Sequence, residues 1–282
     1  MTMKNFKLSV LRGINGATRV LGKTRLGRVT FEQAVEQAME RTQRVRHGSV
    51  ELDIATPNAL NRFRAATFAT KEPETLAWID SIPRGSVIWD VGANVGLYAC
   101  YAAKARDCRV VAFEPSVFNL ELLARNIFLN KLTDRVTIMP LPLFERVSES
   151  TLNMTSTQWG GALSTFSASH GYDGQALAKV FEFRTVGLSM DDCVSRLGLP
   201  QPDFMKMDVD GIEHVILRAG PGVLSRIKGV AVEINDDFKE QADDSRRALE
   251  QAGLTFAGKA HSEMIDAHPE FAHTFNQVWV RR

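Results

Sequence analysis

The sequence predicts an α/β fold built on a doubly wound, mostly parallel sheet, with an N-terminal helical extension. Short segments rich in Val, Ile and Phe alternate with segments of helical period, which is typical of buried parallel strands joined by crossover helices. The chain has 282 residues, of which 44% are hydrophobic, enough for one full-sized core. We therefore expect a basic extension over residues 1–50 and one domain over residues 51–282.

Composition and charge exclude several classes of protein. The 34 basic residues nearly balance the 33 acidic ones, and the formal net charge of +1 argues against a nucleic-acid partner. No apolar run approaches the roughly 18 residues of a membrane span, and no secretory signal pattern is present. Cys100, Cys108 and Cys193 lack a metal-ligand spacing and fit packing in a protein of the reducing cytoplasm.

Positive charge is concentrated at the N-terminus, where residues 1–31 contain seven basic residues and no acid. Such a segment is either a solvated basic end or a peripheral contact with a membrane surface or an acidic partner, and a mitochondrial presequence has similar chemistry. Thr30 and Gln33 fit a capping box, and apolar residues then recur on one helical face. This pattern predicts an amphipathic helix over residues 30–45 that packs on the domain.

The remaining elements follow in order along the chain. KEPETLAWIDSIPRGS predicts a short helix through Trp78 and Ile79 that ends at Pro83. Helical period is clear over residues 120–128 and in DDSRRALEQAG, which Gly253 ends. Strands are predicted at residues 87–91, 109–114, 136–143, 203–209, 229–235 and 275–281.

Residues 144–202 are too many for a simple crossover connection. Within them, LNMTS and FEFRTVGL are predicted strands that flank a loop rich in Gly, Ser and Thr. Long insertions in compact domains are commonly functional, so we expect a lid or a wall of the substrate site. Trp159 and Phe166 either stack on a substrate ring or pack in the core, and His170 lies in the same loop.

The run VIWDVGANVGLY gives the strongest functional signal, because a strand leads through a glycine turn into a helix. Gly92 and Gly96 let the backbone approach a ligand, and the helix start favours a carboxylate or phosphate. A dinucleotide site has G-x-G-x-x-G, whereas these glycines are spaced G-x-x-x-G around Asn94. Asp90 suits a ligand that carries an ammonium group and would repel a pyrophosphate. The pattern therefore favours S-adenosylmethionine (SAM).

Glu114 ends the next predicted strand, in RVVAFEP. From this position a carboxylate accepts hydrogen bonds from both ribose hydroxyls of a bound nucleoside. A single acid at a strand end is common, but its combination with Asp90 and the glycine turn at this separation is much less so. The pair supports a SAM site.

PDFMKMDVDGIEH brings Lys206, Asp208 and Asp210 to the exit of another strand. Ligands lie outside the carboxyl ends of parallel strands, so substrate and cofactor should meet here. Buried charges need a partner or a function, and a structural Lys–Asp ion pair is the alternative explanation. An acceptor hydroxyl needs a base during methyl transfer, and Asp208 is the first candidate, followed by His214 and Asp210.

Glu233 and Asn235 end the strand VAVEIN at the same edge. Together with Asp208 they offer oxygen ligands of the kind that Mg²⁺ takes, or they hydrogen-bond the substrate. Oxygen-only sites have no sharp sequence signature, so a metal is not favoured.

As a set, DVGANVGLY, AFEP, NLELLARNIFLN, WGGALSTF and DFMKMDVDGIEHVIL resemble the FkbM-type SAM-dependent methyltransferases over about residues 56–235. The resemblance implies a class I, Rossmann-like methyltransferase fold with a seven-stranded sheet whose last strand is antiparallel. It also implies methyl transfer to a hydroxyl of a sugar, glycan or natural product. The positions that match the cofactor motifs are Asp90, Gly92, Asn94, Gly96 and Glu114.

Two positions depart from the pattern of these relatives. Asp210 stands where many have Glu, and Phe144 and Glu145 stand where a small residue and Asp are common, which leaves the adenine contact of Glu145 open.

The alternative functions are those of a non-enzymatic SAM-binding partner protein, a methyltransferase acting on nucleic acid or protein, and a dehydrogenase. DVDG replaces the N/D-P-P-Y/F tetrapeptide of nucleic-acid N-methyltransferases. We expect a cytoplasmic protein, free or peripheral at the membrane.

Overall fold

The computed structural model describes residues 16–261 and 271–282. Its strands in chain order are β1 (Thr42–His47), β2 (Val50–Ala55), β3 (Val87–Val91), β4 (Arg109–Phe113), β5 (Val136–Met139), β6 (Ser148–Met154), β7 (Ser164–Phe166), β8 (Phe181–Gly187), β9 (Phe204–Met207), β10 (Gly229–Asn235), β11 (Thr255–Ala260) and β12 (Thr274–Val280). The helices used below are α1 (Arg25–Met39), α2 (Ala59–Ala66), α3 (Phe68–Lys71), α4 (Pro73–Ser81), α5 (Leu97–Arg106), α6 (Val117–Leu129), α7 (Met190–Ser195), α8 (Glu213–Arg218), α9 (Pro221–Leu224) and α10 (Lys239–Gln251).

A seven-stranded sheet with the order β11-β12-β10-β9-β3-β4-β5 forms the centre of the molecule. The pairs from β10 through β9, β3 and β4 to β5 are parallel. β12 is antiparallel to both of its neighbours. This confirms the doubly wound, mostly parallel sheet with an antiparallel last strand.

All of the predicted strands are present, and several of them have shorter ends. The third ends at Met139 rather than at residue 143, since Pro140 and Pro142 lack the N–H that a strand interior needs. The fourth ends at Met207, because the chain turns outward at Asp208. The edge strand β11 and the β1–β2 hairpin were not predicted. The hairpin crosses residue 50, the predicted boundary between the extension and the domain.

The N-terminal helix differs from its prediction. It begins at Arg25, where the Thr24 hydroxyl accepts a hydrogen bond from the Gly27 N–H at 3.0 Å, so Thr30 is not the cap. It ends at Met39, and the predicted last turn is instead part of β1. None of the residues on the predicted apolar face is buried, and Val35 is 59% accessible. None of the described helices combines the length and apolar character that crossing a membrane requires.

Both faces of the central sheet are covered. One face packs against α4, α5, α6 and the β1–β2 hairpin, with the fully buried Tyr101 and Leu123 at its centre. The other packs against α7 to α10, with Trp89 completely buried. The cysteines are buried free thiols in these layers.

The insertion at residues 144–202 forms a second sheet with the order β7-β6-β8. Its strand β6 begins at Ser148, four residues before the predicted LNMTS, and continues the pairing with β8. Phe166 is 1% exposed and packs with the main core, which favours its packing role. The insertion is thus an ordered sheet that packs on the core of the domain.

Asn126 on α6 attaches the N-terminal hairpin to the rest of the domain. Its side chain is fully buried, accepts a hydrogen bond from the Ala55 N–H at 2.7 Å and donates one to the Val95 carbonyl at 2.8 Å. Asn130, one turn later, accepts from the Asp53 N–H and donates to the Asp53 carbonyl. One helix face therefore holds both β2 and the glycine turn.

We expect Asn126→Ala to lower the free energy of unfolding by about 2–4 kcal/mol, because it leaves a buried N–H and a buried carbonyl unpaired. Urea denaturation followed by circular dichroism measures the change. Arg125→Ala on the same helix is the control, since it removes only a partly exposed pair with Glu121 and should cost no more than about 0.5 kcal/mol. Equal losses in the two variants would refute the attachment.

Candidate functional site

The carboxyl ends of β3, β4 and β9 border a cleft of about 670 Å³, counting the part open to solvent. We call it the main cleft. A smaller cavity adjoins it, and Gly92 and Asn94 line both. We call it the polar cavity, because four charged side chains line it, those of Arg64, Lys71, Glu72 and Lys206. The predicted site residues that line the main cleft are Gly92, Asn94, Glu114, Asp208 and Asp210.

The glycine turn is forced by the packing of the sheet itself. Gly92 has φ +85°, and a Cβ on it would lie 1.7 Å from the carbonyl oxygen of Asp208 on the neighbouring strand exit. Gly96 has φ +80°, and a Cβ there would lie 2.4 Å from Leu123 on α6. Sequence reasoning assigned Gly92 to close approach of a ligand, but the atom it makes room for belongs to the chain.

Glu114 is held rigidly at the edge of the main cleft. Its two oxygens accept hydrogen bonds from the backbone N–H groups of Asn94 at 2.8 Å and Ser116 at 2.7 Å. Burial raises the pKa of Glu114 to about 7, although these N–H groups oppose the shift. The Asn119 side chain also donates to this carboxylate, and a carboxylate has about four acceptor positions, so acceptor capacity remains for a hydroxyl of a ligand.

Residues 159–161 of the insertion, which we call the strap, cover the junction of the two cavities. The Trp159 carbonyl accepts hydrogen bonds from the side chains of Asn58 and Asn61, at 2.9 and 2.7 Å. The Gly160 carbonyl accepts two from Arg64, at 2.9 and 2.7 Å.

The inner side of the strap is held by the glycine turn and by α6. The Gly161 carbonyl accepts hydrogen bonds from Asn94 at 2.8 Å and Asn119 at 3.0 Å. Gly160 has φ +84°, and a Cβ on it would lie 2.6 Å from Asn61. All three strap carbonyls are therefore bound by side chains, which makes the strap a fixed wall in this structure.

The polar cavity is lined by charged side chains that compensate one another. Lys71 lies 2.8 Å from Glu72, and the Lys206 ammonium lies 5.3 Å from the centre of the Tyr98 ring. Burial alone would raise the pKa of Glu72, but Lys71 and Lys206 outweigh it and lower that pKa to about 2. Arg64 binds the strap through Nε and Nη2, which leaves Nη1 for a ligand.

Asp90 lies behind these cavities rather than on their walls. It is 3% exposed, and neither of its carboxylate oxygens has a hydrogen-bond partner among the described residues. Burial raises the pKa of Asp90 to about 6, and the positive charge of Lys206 opposes the shift. An unpaired buried carboxylate is costly, and the charge of Lys206 offsets part of that cost.

Three carboxylates lie together at the main cleft, and two of them, Asp208 and Asp210, line it. One oxygen from each of Asp208, Asp210 and Glu233 lies within 4.8 Å of the others. Lys206 donates a hydrogen bond to Asp208 at 3.1 Å. Burial and then Asp208 raise the pKa of Asp210, and burial and the other two acids raise the pKa of Glu233. Such a cluster suits hydrogen bonding to hydroxyl groups and uptake of a proton.

The turn that carries Asp210 is fixed by Glu213. Asp210 has φ +61°, and the Glu213 carboxylate accepts hydrogen bonds from the N–H groups of Val209 and Gly211, at 2.9 and 3.1 Å. Gln241 donates to the same carboxylate. Asp210 in turn accepts from the Ser164 N–H at 3.1 Å, which joins the turn to the insertion.

Six of the predicted site residues line neither the main cleft nor the polar cavity, namely Asp90, Gly96, Glu145, His214, Glu233 and Asn235. His214 is buried against Phe238, with ring centres 5.7 Å apart, and burial lowers its pKa. Glu145 pairs with Arg146 at 3.0 Å and is not a lining residue. The Asn235 side chain accepts a hydrogen bond from the Asp237 N–H, so the acid that joins Asp208 and Glu233 is Asp210.

Several site residues were missed by sequence reasoning, namely Asn58, Asn61, Arg64, Lys71, Tyr98 and Asn119. For two of them the sequence offered a signal, namely their position in a motif: Tyr98 ends the run VIWDVGANVGLY, and Asn119 begins NLELLARN. Glu72 lies in KEPETLAWID, which was assigned only a helical role.

The sheet order and the cleft at its carboxyl edge define a Rossmann-like fold of the methyltransferase class. The sequence model of the Methyltransferase FkbM domain matches residues 90–265, and the chain belongs to this family. The crystal structure of methyltransferase FkbM from Methylobacillus flagellatus is similar in fold, with a TM-score of 0.50 and 16% identity, over 89% of this chain and 59% of that one.

Two characterised relatives share part of the sequence. The hexuronic acid methyltransferase AglP of Haloferax volcanii is 26% identical over 177 residues, which cover 63% of this chain and 66% of AglP. The AMB antimetabolite synthetase AmbE of Pseudomonas aeruginosa is 26% identical over 189 residues, 55% of this chain but 9% of AmbE. This chain therefore spans less than two thirds of each relative.

Gly92→Ala should lower the free energy of unfolding by about 3 kcal/mol or more. The added Cβ would clash with the Asp208 carbonyl oxygen, and residue 92 has a left-handed backbone conformation that alanine adopts only with strain. Gly48→Ala is the matched control: Gly48 has φ +55°, but its Cβ would meet nothing within 4 Å. Strain alone should cost the control about 1–2 kcal/mol. Thermal unfolding of both variants tests this, and equal shifts would show that the clash is relieved.

Proposed function

We propose that this protein is a SAM-dependent O-methyltransferase that moves a methyl group to a hydroxyl of a sugar, glycan or natural product. The observation that carries the proposal is the position of Glu114. A buried carboxylate with acceptor capacity left for a ligand lines the same cleft as Asp208, in a chain of the FkbM family.

The residues present fit SAM as the cofactor. Glu114 would accept hydrogen bonds from the ribose hydroxyls, and the main cleft beside Leu143 offers an apolar wall to the adenine. The unpaired Asp90 carboxylate supplies negative charge behind the glycine turn, which favours a cationic ligand. SAM, when bound, supplies an electrophilic methyl group on a positively charged sulfur.

The methionyl end of SAM would lie in the polar cavity. Arg64, through Nη1, and Lys71 carry the positive charge that its carboxylate requires, and Glu72 carries the negative charge that its ammonium requires. The strap would then close the junction between the two halves of the cofactor and exclude water from it.

We assign the reaction chemistry to the three-carboxylate cluster. Asp208 lines the main cleft, and its partner Lys206 lines the polar cavity, so Asp208 is the first candidate for the base that takes the hydroxyl proton. Asp210 and Glu233 would orient the acceptor through hydrogen bonds to its hydroxyls. His214 has no access to the acceptor in this arrangement, and we give it no role.

The acceptor class rests on the relative AglP, whose name assigns it a hexuronic acid. Sugars present several hydroxyls, and clustered carboxylates are suitable acceptors for them. A divalent cation on the same carboxylates would be a second way to activate the hydroxyl, in which case chelation would abolish transfer. A non-enzymatic SAM-binding role is the alternative, and the intact acid cluster argues against it.

We expect Asp208→Asn to reduce methyl transfer by about 10²–10⁴-fold with SAM affinity nearly unchanged, because the base is lost and the cofactor contacts are not. The assay uses methyl-labelled SAM with an extract of the native host, and identifies the labelled product. The control is Asp203→Asn, which alters an acid at the opposite end of the same strand, where it pairs with Lys228. Wild-type transfer by Asp208→Asn would remove Asp208 from the mechanism, and no labelled product at all would contradict the enzyme.

SAM affinity should rise with pH as Glu114 ionises around pH 7, because only the ionised carboxylate accepts both ribose hydroxyls. Glu114→Gln should bind SAM about 10–100-fold more weakly at pH 8 and lose this pH dependence. Isothermal titration between pH 6 and pH 8 measures both. Glu240→Gln, an exposed change on α10, is the control. An unchanged pH profile in Glu114→Gln would separate Glu114 from the cofactor.

A further inference from the structure

Residues 16–31 present an exposed surface that the proposed function does not use, and we call it the N-terminal basic face. Its basic side chains, all exposed, are Arg19, Lys23, Arg25 and Arg28. Between them lie exposed apolar side chains, with fractional exposures of 67% for Val20, 54% for Leu21, 79% for Leu26 and 50% for Val29. No acidic residue lies in the segment.

The concentration of exposed apolar side chains here is unusual for this molecule. Fourteen large apolar side chains are exposed among the described residues, and four of them lie within residues 20–29. Leu26 is the most exposed of the fourteen. Single exposed apolar residues need no explanation, but a cluster of them marks an interaction surface.

The face has a defined local structure. Residues 16–21 are helical, a short turn follows, and α1 begins at Arg25. Thr24 fixes the turn, since its hydroxyl donates to the Leu21 carbonyl at 2.8 Å and accepts from the Gly27 N–H at 3.0 Å. Gly27 is buried there, and a Cβ on it would lie 1.9 Å from the Leu21 carbonyl oxygen. The basic and apolar side chains are thus held on two short helical segments joined by a close turn.

The charge of this face is strongly one-sided. Residues 1–31 carry seven basic residues and no acid, whereas the chain as a whole is nearly balanced at +1. The first acids are Glu32, Glu36 and Glu40, all exposed. The acidic part of α1 therefore begins where the basic face ends.

We propose that the N-terminal basic face binds peripherally to the surface of an anionic lipid bilayer. Lysine and arginine are attracted to the negative headgroups, and the exposed leucines and valines would enter the boundary between headgroups and acyl chains. A partner with negative charge but no apolar phase, such as an acidic protein surface, would use the cations and leave Leu21 and Leu26 exposed. The mixture of both kinds of side chain is what favours the bilayer.

The test is flotation of the full-length protein with vesicles of phosphatidylcholine alone or mixed with phosphatidylglycerol. We expect binding only to the mixed vesicles, and weaker binding at high salt. Arg25→Glu combined with Arg28→Glu should lower the partition coefficient at least about 25-fold, since each cation near an anionic surface contributes about fivefold. Leu21→Ser combined with Leu26→Ser should also weaken binding, at unchanged charge.

The matched control is Lys131→Glu combined with Arg226→Glu, which makes the same change in net charge at two exposed positions elsewhere. It should bind the mixed vesicles within about twofold of the wild-type protein if the N-terminal basic face is the contact. Circular dichroism confirms that the variants are folded. No binding to mixed vesicles, equal losses in both charge variants, or no effect of the leucine variant would overturn the proposal. Self-association through this face, seen by light scattering without vesicle binding, would also overturn it.

Discussion

The close approach of β3 to the exit of β9 is the constraint on which the rest of the site depends. At Gly92 the two segments are so near that a Cβ would lie 1.7 Å from the Asp208 carbonyl oxygen. The turn that would receive the cofactor and the strand exit that carries the candidate base are therefore placed by one contact. Their relative position is a property of the sheet rather than of a mobile loop, and rigid placement is what methyl transfer between two bound reactants requires.

Charge compensation is the second condition that the site satisfies. Lys206 is 4% exposed and lies against Asp208, and its charge also opposes the raised pKa of Asp90 and lowers that of Glu72. One buried ammonium thus supports acids on both sides of the glycine turn. A cofactor with a positively charged sulfur would add to the same balance, which gives a physical reason for an excess of carboxylates at this edge.

The parts of the fold that the sequence predicts are those with a local signal. Strands β3, β4 and β10 are short apolar runs buried on both faces, so their positions follow from composition. Strand β11 is an edge strand with mostly exposed residues and no such run. Glu114 and Asp208 were predicted because the carboxyl ends of parallel strands meet at one edge of the sheet. Arg64 and Lys71 lie on helices that pack beside the site, and no local sequence pattern gives the position of those helices. His214 was predicted from nearness in sequence, and the direction of its helix takes it elsewhere.

The insertion contributes the strap, which lies beside the two cavities at the carboxyl edge of the sheet. All three carbonyls of the strap accept hydrogen bonds from side chains of α2 and its N-cap, the glycine turn and α6. The strap is therefore fixed against the domain on both sides. Asn94 takes part in this and also donates its N–H to Glu114, so the wall and the Glu114 carboxylate share one residue. A displaced strap would remove one restraint on the Asn94 turn. The wall and the Glu114 carboxylate are therefore linked through that turn by hydrogen bonds rather than by apolar packing.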